Sequence, residues 1–284
     1  MTTSEKRRDF LKVMTLVLTT QTFHKAFGKA SSKDHLRKGS QQFQPGLDGV
    51  VIHYQDERII GGFYRGEGNT RRPTAILIHG LPGVEKHLDI AYKLRDMGWN
   101  CLYFHFRGSW GSSGKYSLLQ MEDDTLAALE WVSNQQSVDL NRIILIGTST
   151  GSYPAFRVGA KDKRIAGVLA IGPLMSPTEF KFPRKMAEDF SEMLNGISAA
   201  ELLSEWNRLE DLKSLAANFS TKPAFIISAG ADTIFPPSSY SKLFGGNSKV
   251  KYVEKKDADH GFSKERTWLV DNAVKWLSMT FDKL

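Results

Sequence analysis

The sequence predicts an α/β protein with a mostly parallel central sheet flanked by helices and a small helical cap inserted late in the chain. Two observations carry this. Short β-rich runs at 74–79, 101–106, 142–147, 167–171 and 224–228 are almost continuously apolar, as strands buried on both faces are, and helix-length segments separate most of them. The stretch 176–220 breaks the alternation, because it carries helical apolar spacing, such as Met186, Phe190, Met193 and Leu194, and no strand-like run.

Taken in chain order, 50–54 and 58–64 are close enough to pair as an antiparallel hairpin. The five apolar runs then supply the parallel strands, with helices expected over 86–97, 121–135 and 152–160 between them. A last strand is expected at 249–253 and a closing amphipathic helix at 264–281, with Trp268, Ala273, Trp276 and Leu277 turned to the core. This divides the chain into a leader (1–30), a linker (31–49) and one domain (50–284) whose cap insertion spans about 176–220. No repeat of solenoid period is present.

Composition narrows the function classes. The chain has 284 residues, 41% hydrophobic and 24% charged, with 24 Gly and 10 Pro, which excludes disordered and collagen-like classes. A single cysteine, Cys101, cannot form an intramolecular disulfide and excludes a Cys-rich zinc site, so apolar burial must hold the fold. Placed in a central strand, Cys101 is expected to be buried and inert. No apolar stretch reaches the roughly 18 residues a membrane span needs, so the mature protein is expected to be soluble. Of the net charge of +7, the first thirty residues hold +4 through Lys6, Arg7, Arg8, Lys12, Lys25 and Lys29 against Glu5 and Asp9. The remaining basic residues are scattered among acids, which argues against a nucleic-acid partner.

The basic segment Lys6 to Lys12 precedes the modest apolar run Val13 to Leu18, and Gly28-Lys29-Ala30 offers small residues at the minus-three and minus-one positions of a cleavage site. Arg7-Arg8 followed by Asp9-Phe10-Leu11-Lys12 resembles a bacterial twin-arginine signal. The expectation is export through that machinery to the periplasm or beyond; the alternative is a basic helix retained as a cytoplasmic tail.

The chemistry centres on Gly147-Thr148-Ser149-Thr150-Gly151, between a buried strand and a helix. That context makes a nucleophile elbow: the serine takes a strained turn, and its neighbours two residues away must be small for strand and helix to approach. A serine hydroxyl needs a base, and the base needs an orienting acid. After Ser149 the only histidine is His260. Asp232 follows the end of a buried strand, where site residues gather in open α/β sheets, and is the best acid; Asp257 and Asp259 are too local to His260, and Glu179 is weaker. The oxyanion hole is expected from the N–H groups of Thr150 and of Leu81 in His79-Gly80-Leu81-Pro82-Gly83, since Pro82 has none to give. His79 is assigned to loop support, and His53, His87 and His105 to packing or surface. Trp110 and Leu174 are candidates to line the substrate pocket.

With these motifs the sequence resembles the α/β-hydrolase superfamily over about residues 50–282. Phe106-Arg107-Gly108-Ser109-Trp110-Gly111-Ser112-Ser113-Gly114 also looks like that family's Arg-Gly-x-Gly-x-Ser loop with one extra residue, Ser109 or Trp110. Among its branches the chain looks most like small serine hydrolases grouped with prolyl-oligopeptidase-like and serine-aminopeptidase-like proteins, many of them esterases, without the long N-terminal propeller of true prolyl oligopeptidases. The resemblance implies the α/β-hydrolase fold and Ser149, Asp232 and His260 as nucleophile, acid and base, with oxyanion donors from Leu81 and Thr150. The expected function is hydrolysis of an ester with a small or medium acyl group through an acyl-enzyme, with no metal or organic cofactor. Alternatives are a peptidase on the same residues, its substrate a short peptide whose amine meets Glu179, Glu188, Asp189 or Glu192, and a non-catalytic hydrolase-fold binding protein.

Overall fold

The computed structural model describes residues 42–240 and 249–282. The expected leader and most of the linker lie outside them. Eight strands form one sheet: β1 (Gly46–Tyr54), β2 (Glu57–Arg65), β3 (Arg72–Ile78), β4 (Asn100–Phe104), β5 (Val138–Thr148), β6 (Ile165–Ile171), β7 (Ala224–Ala229) and β8 (Val250–Lys255). Their spatial order is β1-β2-β4-β3-β5-β6-β7-β8. The pairs β1–β2 and β2–β4 are antiparallel, and all the others are parallel.

The hairpin is longer than the sequence suggests. β1 begins at Gly46, and Phe43 bridges to Gly68, so strand pairing reaches into the expected linker. The reason is compositional: Gly46, Asp48 and Gly49 are poor strand formers, and residues 47–49 are exposed on the sheet edge. No apolar alternation could mark them.

Among the described residues six helices flank the sheet: α1 (Leu88–Asp96), α2 (Met121–Ser133), α3 (Ser152–Lys161), α4 (Arg184–Ser191), α5 (Ala199–Trp206) and α6 (Arg266–Phe281). The apolar runs are buried on both faces, and successive residues serve different cores. Ile76 and Ile78 of β3, with Ile143 and Leu145 of β5, pack beneath α2 and α3, in a core that contains Ala128, Val132 and Phe156. Ala75, Leu77, Ile144 and Ile146 face the other way, onto Ile90 and Leu94 of α1 and Ala273 and Leu277 of α6. Trp276 is also buried there, while Trp268 is half-buried and packs against the same cluster. Cys101, in β4, is fully buried, and burial raises its thiol pKa.

The cap is helical, as its spacing implies. A 3-10 turn at Pro177–Glu179 leads to α4 and α5, and a 3-10 segment, Leu212–Ser220, returns the chain to β7. Ser198 opens α5 with a capping box: its side chain takes the Glu201 N–H, and Glu201 reaches back to the Ser198 N–H. Leu194 is buried, but Met193 is half exposed, because α4 ends at Ser191 before the helical phase can carry Met193 inward. The cap is seated by an aromatic cluster in which Trp206 stacks on Phe182 at 4.7 Å, and Phe180 meets Phe235 edge-on at 5.0 Å. Among the described residues, no helix is long and apolar enough to cross a membrane.

Candidate active site

The turn between β5 and α3 is built as the glycine spacing requires. A Cβ on Gly147 would stand 2.5 Å from Ser152 Cα, and one on Gly151 only 2.3 Å from the Ile78 carbonyl oxygen. The strand, the turn and the loop after β3 therefore close on one another only because both positions lack side chains. Ser149 itself has φ +53°, a left-handed conformation that a non-glycine residue adopts at a cost, and it projects at the C-terminal edge of the sheet.

Three residues from separate segments converge there. Ser149 Oγ lies 3.0 Å from His260 Nε2, and His260 Nδ1 lies 2.6 Å from Asp232 Oδ2. The other carboxylate oxygen of Asp232 accepts the backbone N–H groups of Ile234 (2.8 Å) and Phe235 (2.9 Å), which fixes the carboxylate plane and leaves Oδ2 for the imidazole. With Nδ1 donating to a carboxylate, Nε2 is the acceptor that faces the serine hydroxyl. Asp259 instead caps the turn through the Ser263 N–H at 2.8 Å, both ring nitrogens of His260 are taken by Asp232 and Ser149 and not by Asp257, and Glu179 sits in the cap.

The loop after β3 packs directly on this turn. A Cβ on Gly80 would meet Ser149 Cβ at 2.7 Å, so the next peptide, with the Leu81 N–H, lies beside the nucleophile. That N–H donates to Thr150 Oγ1 at 2.8 Å. His79 supports the loop as expected: its Nδ1 hydrogen-bonds the Gly80 carbonyl at 2.8 Å, and its Nε2 accepts the Phe106 N–H at 3.4 Å. Burial pushes its pKa down to about 4, outweighing the Gly80 carbonyl, so the ring is neutral near pH 7.

Leu174 lines a cavity of about 360 Å³ together with Met175, Phe180, Ile234, Phe235 and Pro236, and Glu179 adds a carboxylate to its wall. The cavity adjoins the convergent side chains: the Leu174 N–H donates to the Ser149 carbonyl at 3.0 Å, and Phe235 meets the His260 ring edge-on at 5.6 Å. Trp110 is not in that lining. Its indole N–H donates to the Pro82 carbonyl at 2.6 Å, and Lys86 Nζ lies 5.9 Å from its ring centroid. At φ +44° Trp110 is strained, and the indole bond holds the loop that carries Leu81. Its own loop is anchored by Arg107, whose Nε donates to Asp124 at 2.5 Å within the protein.

One support is not visible in the sequence. His87, which precedes α1, is buried, and its Nδ1 accepts from Arg266 Nη1 at 2.9 Å while Arg266 also grips Asp89. Arg266 starts α6, six residues beyond His260, and so ties the histidine loop to the first helix. A histidine preceding a helix carries no motif that would announce this. Among the described residues, no three His, Cys, Asp or Glu side chains are grouped so as to hold a metal ion.

Known proteins bear on this geometry at two levels. A 31.7 kDa Escherichia coli protein from the traX-finO intergenic region is 30% identical over 126 residues, 43% of this chain. The match spans only 44% of that relative's length. In fold, the chain is similar to 2,6-dihydroxy-pseudo-oxynicotine hydrolase, with a TM-score of 0.69 and 16% identity over 84% of this chain and 69% of that one. It is also similar to Est1E from Butyrivibrio proteoclasticus, solved with ferulic acid bound, with a TM-score of 0.67 and 15% identity over 82% and 99% of the two chains. Both share the α/β-hydrolase fold with this chain. The family model for prolyl oligopeptidases matches residues 87–283, which include the elbow, the cap and both Asp232 and His260, and the chain belongs to the prolyl oligopeptidase family within the α/β-hydrolase superfamily.

Proposed function

We propose that this hydrolase cleaves an ester of a small or medium acyl group through an acyl-enzyme on Ser149. Ser149 Oγ attacks the ester carbonyl carbon while His260 Nε2 takes the hydroxyl proton, and the carbonyl electron pair moves onto oxygen as the tetrahedral oxyanion. Collapse breaks the bond to the alkoxy oxygen, which leaves as alcohol with the proton from His260. Water then attacks the acyl-enzyme, again giving a proton to His260, and the second collapse returns that proton to Ser149 and releases the acid. Asp232 holds the imidazole in the tautomer this requires. The scheme uses neither metal nor organic cofactor, so EDTA should leave turnover unchanged; loss restored by added metal would contradict it.

The observation that carries this reading is the unbroken hydrogen-bond line from Asp232 through His260 to Ser149 on a positive-φ elbow. The cavity beside it, with Leu174, Met175, Phe180, Ile234, Phe235 and Pro236 in its wall, supports an acyl group of modest size, an aryl acid such as the one Est1E holds included. The deciding experiment is labelling by a fluorophosphonate probe, expected for the native chain and lost in Ser149→Ala, followed by p-nitrophenyl esters of increasing acyl length. Absence of labelling would favour a non-catalytic binding protein.

A peptidase is the second reading, favoured by Glu179. Of the four acidic candidates, Glu188 and Asp189 form ion pairs with Arg184 and Lys185 on the outer face of α4, whereas Glu179 lines the cavity and suits a substrate amine. Faster turnover of aminoacyl p-nitroanilides than of esters would select it. We also propose export on the strength of the leader sequence. Arg7→Lys with Arg8→Lys should retain the full chain in the cytoplasm, and N-terminal sequencing of the exported form should begin near Ser31; an uncleaved cytoplasmic chain irrespective of the arginines would refute this.

A further inference from the structure

The oxyanion hole expected from the sequence has two backbone donors, but one of them is already engaged. The Leu81 N–H donates to Thr150 Oγ1 at 2.8 Å, a contact across 69 residues that joins the loop after β3 to the residue following the nucleophile. Thr150 is 97% buried by its 3% relative exposure, and its oxygen has accepted a hydrogen, so the hydroxyl retains one hydrogen to give. Among the described residues nothing takes it. A buried hydroxyl with an unused donor is costly unless an acceptor arrives; this one belongs to the residue after Ser149 and is bonded to the loop whose Gly80 packs on Ser149, so an oxyanion formed on Ser149 is an acceptor at hand. The packing leaves little slack: Gly80 approaches Ser149 so closely that a Cβ there would overlap it, and Gly151 approaches the Ile78 and His79 carbonyls likewise.

We propose that the Thr150 hydroxyl is itself an oxyanion donor, polarised by the Leu81 N–H behind it, so that the hole consists of the Thr150 backbone N–H and the Thr150 O–H. This rests on the serine-hydrolase reading of the site. The Leu81 amide acts through the hydroxyl: by donating to Oγ1 it makes the O–H a stronger donor and fixes its direction. No proton is transferred along this chain; both hydrogens stay on their own atoms while the oxyanion forms and collapses. Thr150 thus touches the reacting atom twice, once through its main chain and once through its side chain.

The test uses the full-length protein and p-nitrophenyl butyrate, with Ser149→Ala as the reference for serine-dependent turnover. Thr150→Val keeps the β-branched shape and removes the hydroxyl; it should lower kcat by on the order of 100- to 1,000-fold with KM little changed, since the loss of one oxyanion donor acts on the transition state. Thr150→Ser should recover kcat to within about threefold of the native value, which a purely steric role for the side chain would not produce. Thr150→Ala serves the same purpose should the valine variant fail to fold. If Thr150→Val, or Thr150→Ala in its place, hydrolyses the ester at the native rate or faster, the hydroxyl only masks the Leu81 N–H and the proposal is overturned. Turnover that does not depend on Ser149 would overturn the underlying reading, an outcome distinct from serine-dependent turnover that ignores the hydroxyl.

Discussion

A carboxylate can orient an imidazole only if its own plane is held, and at Asp232 the holding is done by the backbone N–H groups of Ile234 and Phe235 on Oδ1. Asp232→Asn preserves that shape but offers the ring an amide, whose N–H would push His260 to the tautomer with hydrogen on Nε2, facing Ser149. We expect kcat on p-nitrophenyl butyrate to fall by roughly 10⁴-fold, the scale seen when a triad acid is neutralised, with no change in melting temperature beyond a few degrees. Asp257→Asn should retain full turnover; if it is the damaging change, Asp232 is not the orienting acid. These three residues were legible in the sequence because each follows a strand end and the elbow glycines mark the turn. The Leu81–Thr150 and Trp110–Pro82 bonds were not, since they join a side chain to a backbone group 69 and 28 residues away and follow only from how closely two loops pack.

At the scale of elements, the turn between β5 and α3 depends on what its glycines omit. Gly151→Ala would force a methyl into the Ile78 carbonyl, a backbone atom that cannot swing aside. The expected result is a loss of more than about 2 kcal/mol in urea unfolding together with strongly reduced fluorophosphonate labelling, because the loop bearing Leu81 must move. Native stability in that variant would mean the close approach is not obligatory. The cap answers to a different test. Phe180 lines the cavity and also joins the aromatic cluster through Trp206 and Phe235, so Phe180→Ala should enlarge the cavity and shift preference toward longer acyl chains, as read from relative kcat/KM across an ester series. Unchanged preference with a large loss of stability would make the residue part of the core alone. The sequence revealed the parallel strands through their apolar runs and the cap through its helical spacing; the start of β1 escaped because Gly46, Asp48 and Gly49 surround the lone apolar Leu47 and leave no alternation to read.

For the molecule as a whole, the two cores and the loops around the site bury three histidines whose ionisation couples folding to pH. Burial lowers the pKa of His79 and His87 from 6.5 to about 4 and that of His105 to about 3; Lys86 adds repulsion at His79 and His105, and Arg266 at His87. In the folded chain all three are therefore neutral down to these values, whereas in the unfolded chain they take up protons as the pH falls through about 6.5. The unfolded state then binds more protons, so stability is fully present above pH 6.5 and is lost progressively as the pH falls from there toward 4. The urea midpoint measured from pH 7.5 to pH 4.5 should decline most steeply within that window, while a flat profile would mean the rings are hydrated or paired. His105 allows the source to be isolated, because its Nδ1 is buried and without a partner. Replacing an unsatisfied buried polar group by an apolar one of similar size is close to neutral or stabilising. His105→Leu should thus match the native protein at pH 7.5 and exceed it at pH 5, since the variant no longer forfeits that histidine's proton uptake in the unfolded state. Parallel profiles for the two proteins would remove His105 from the linkage and leave His79 and His87 to account for it.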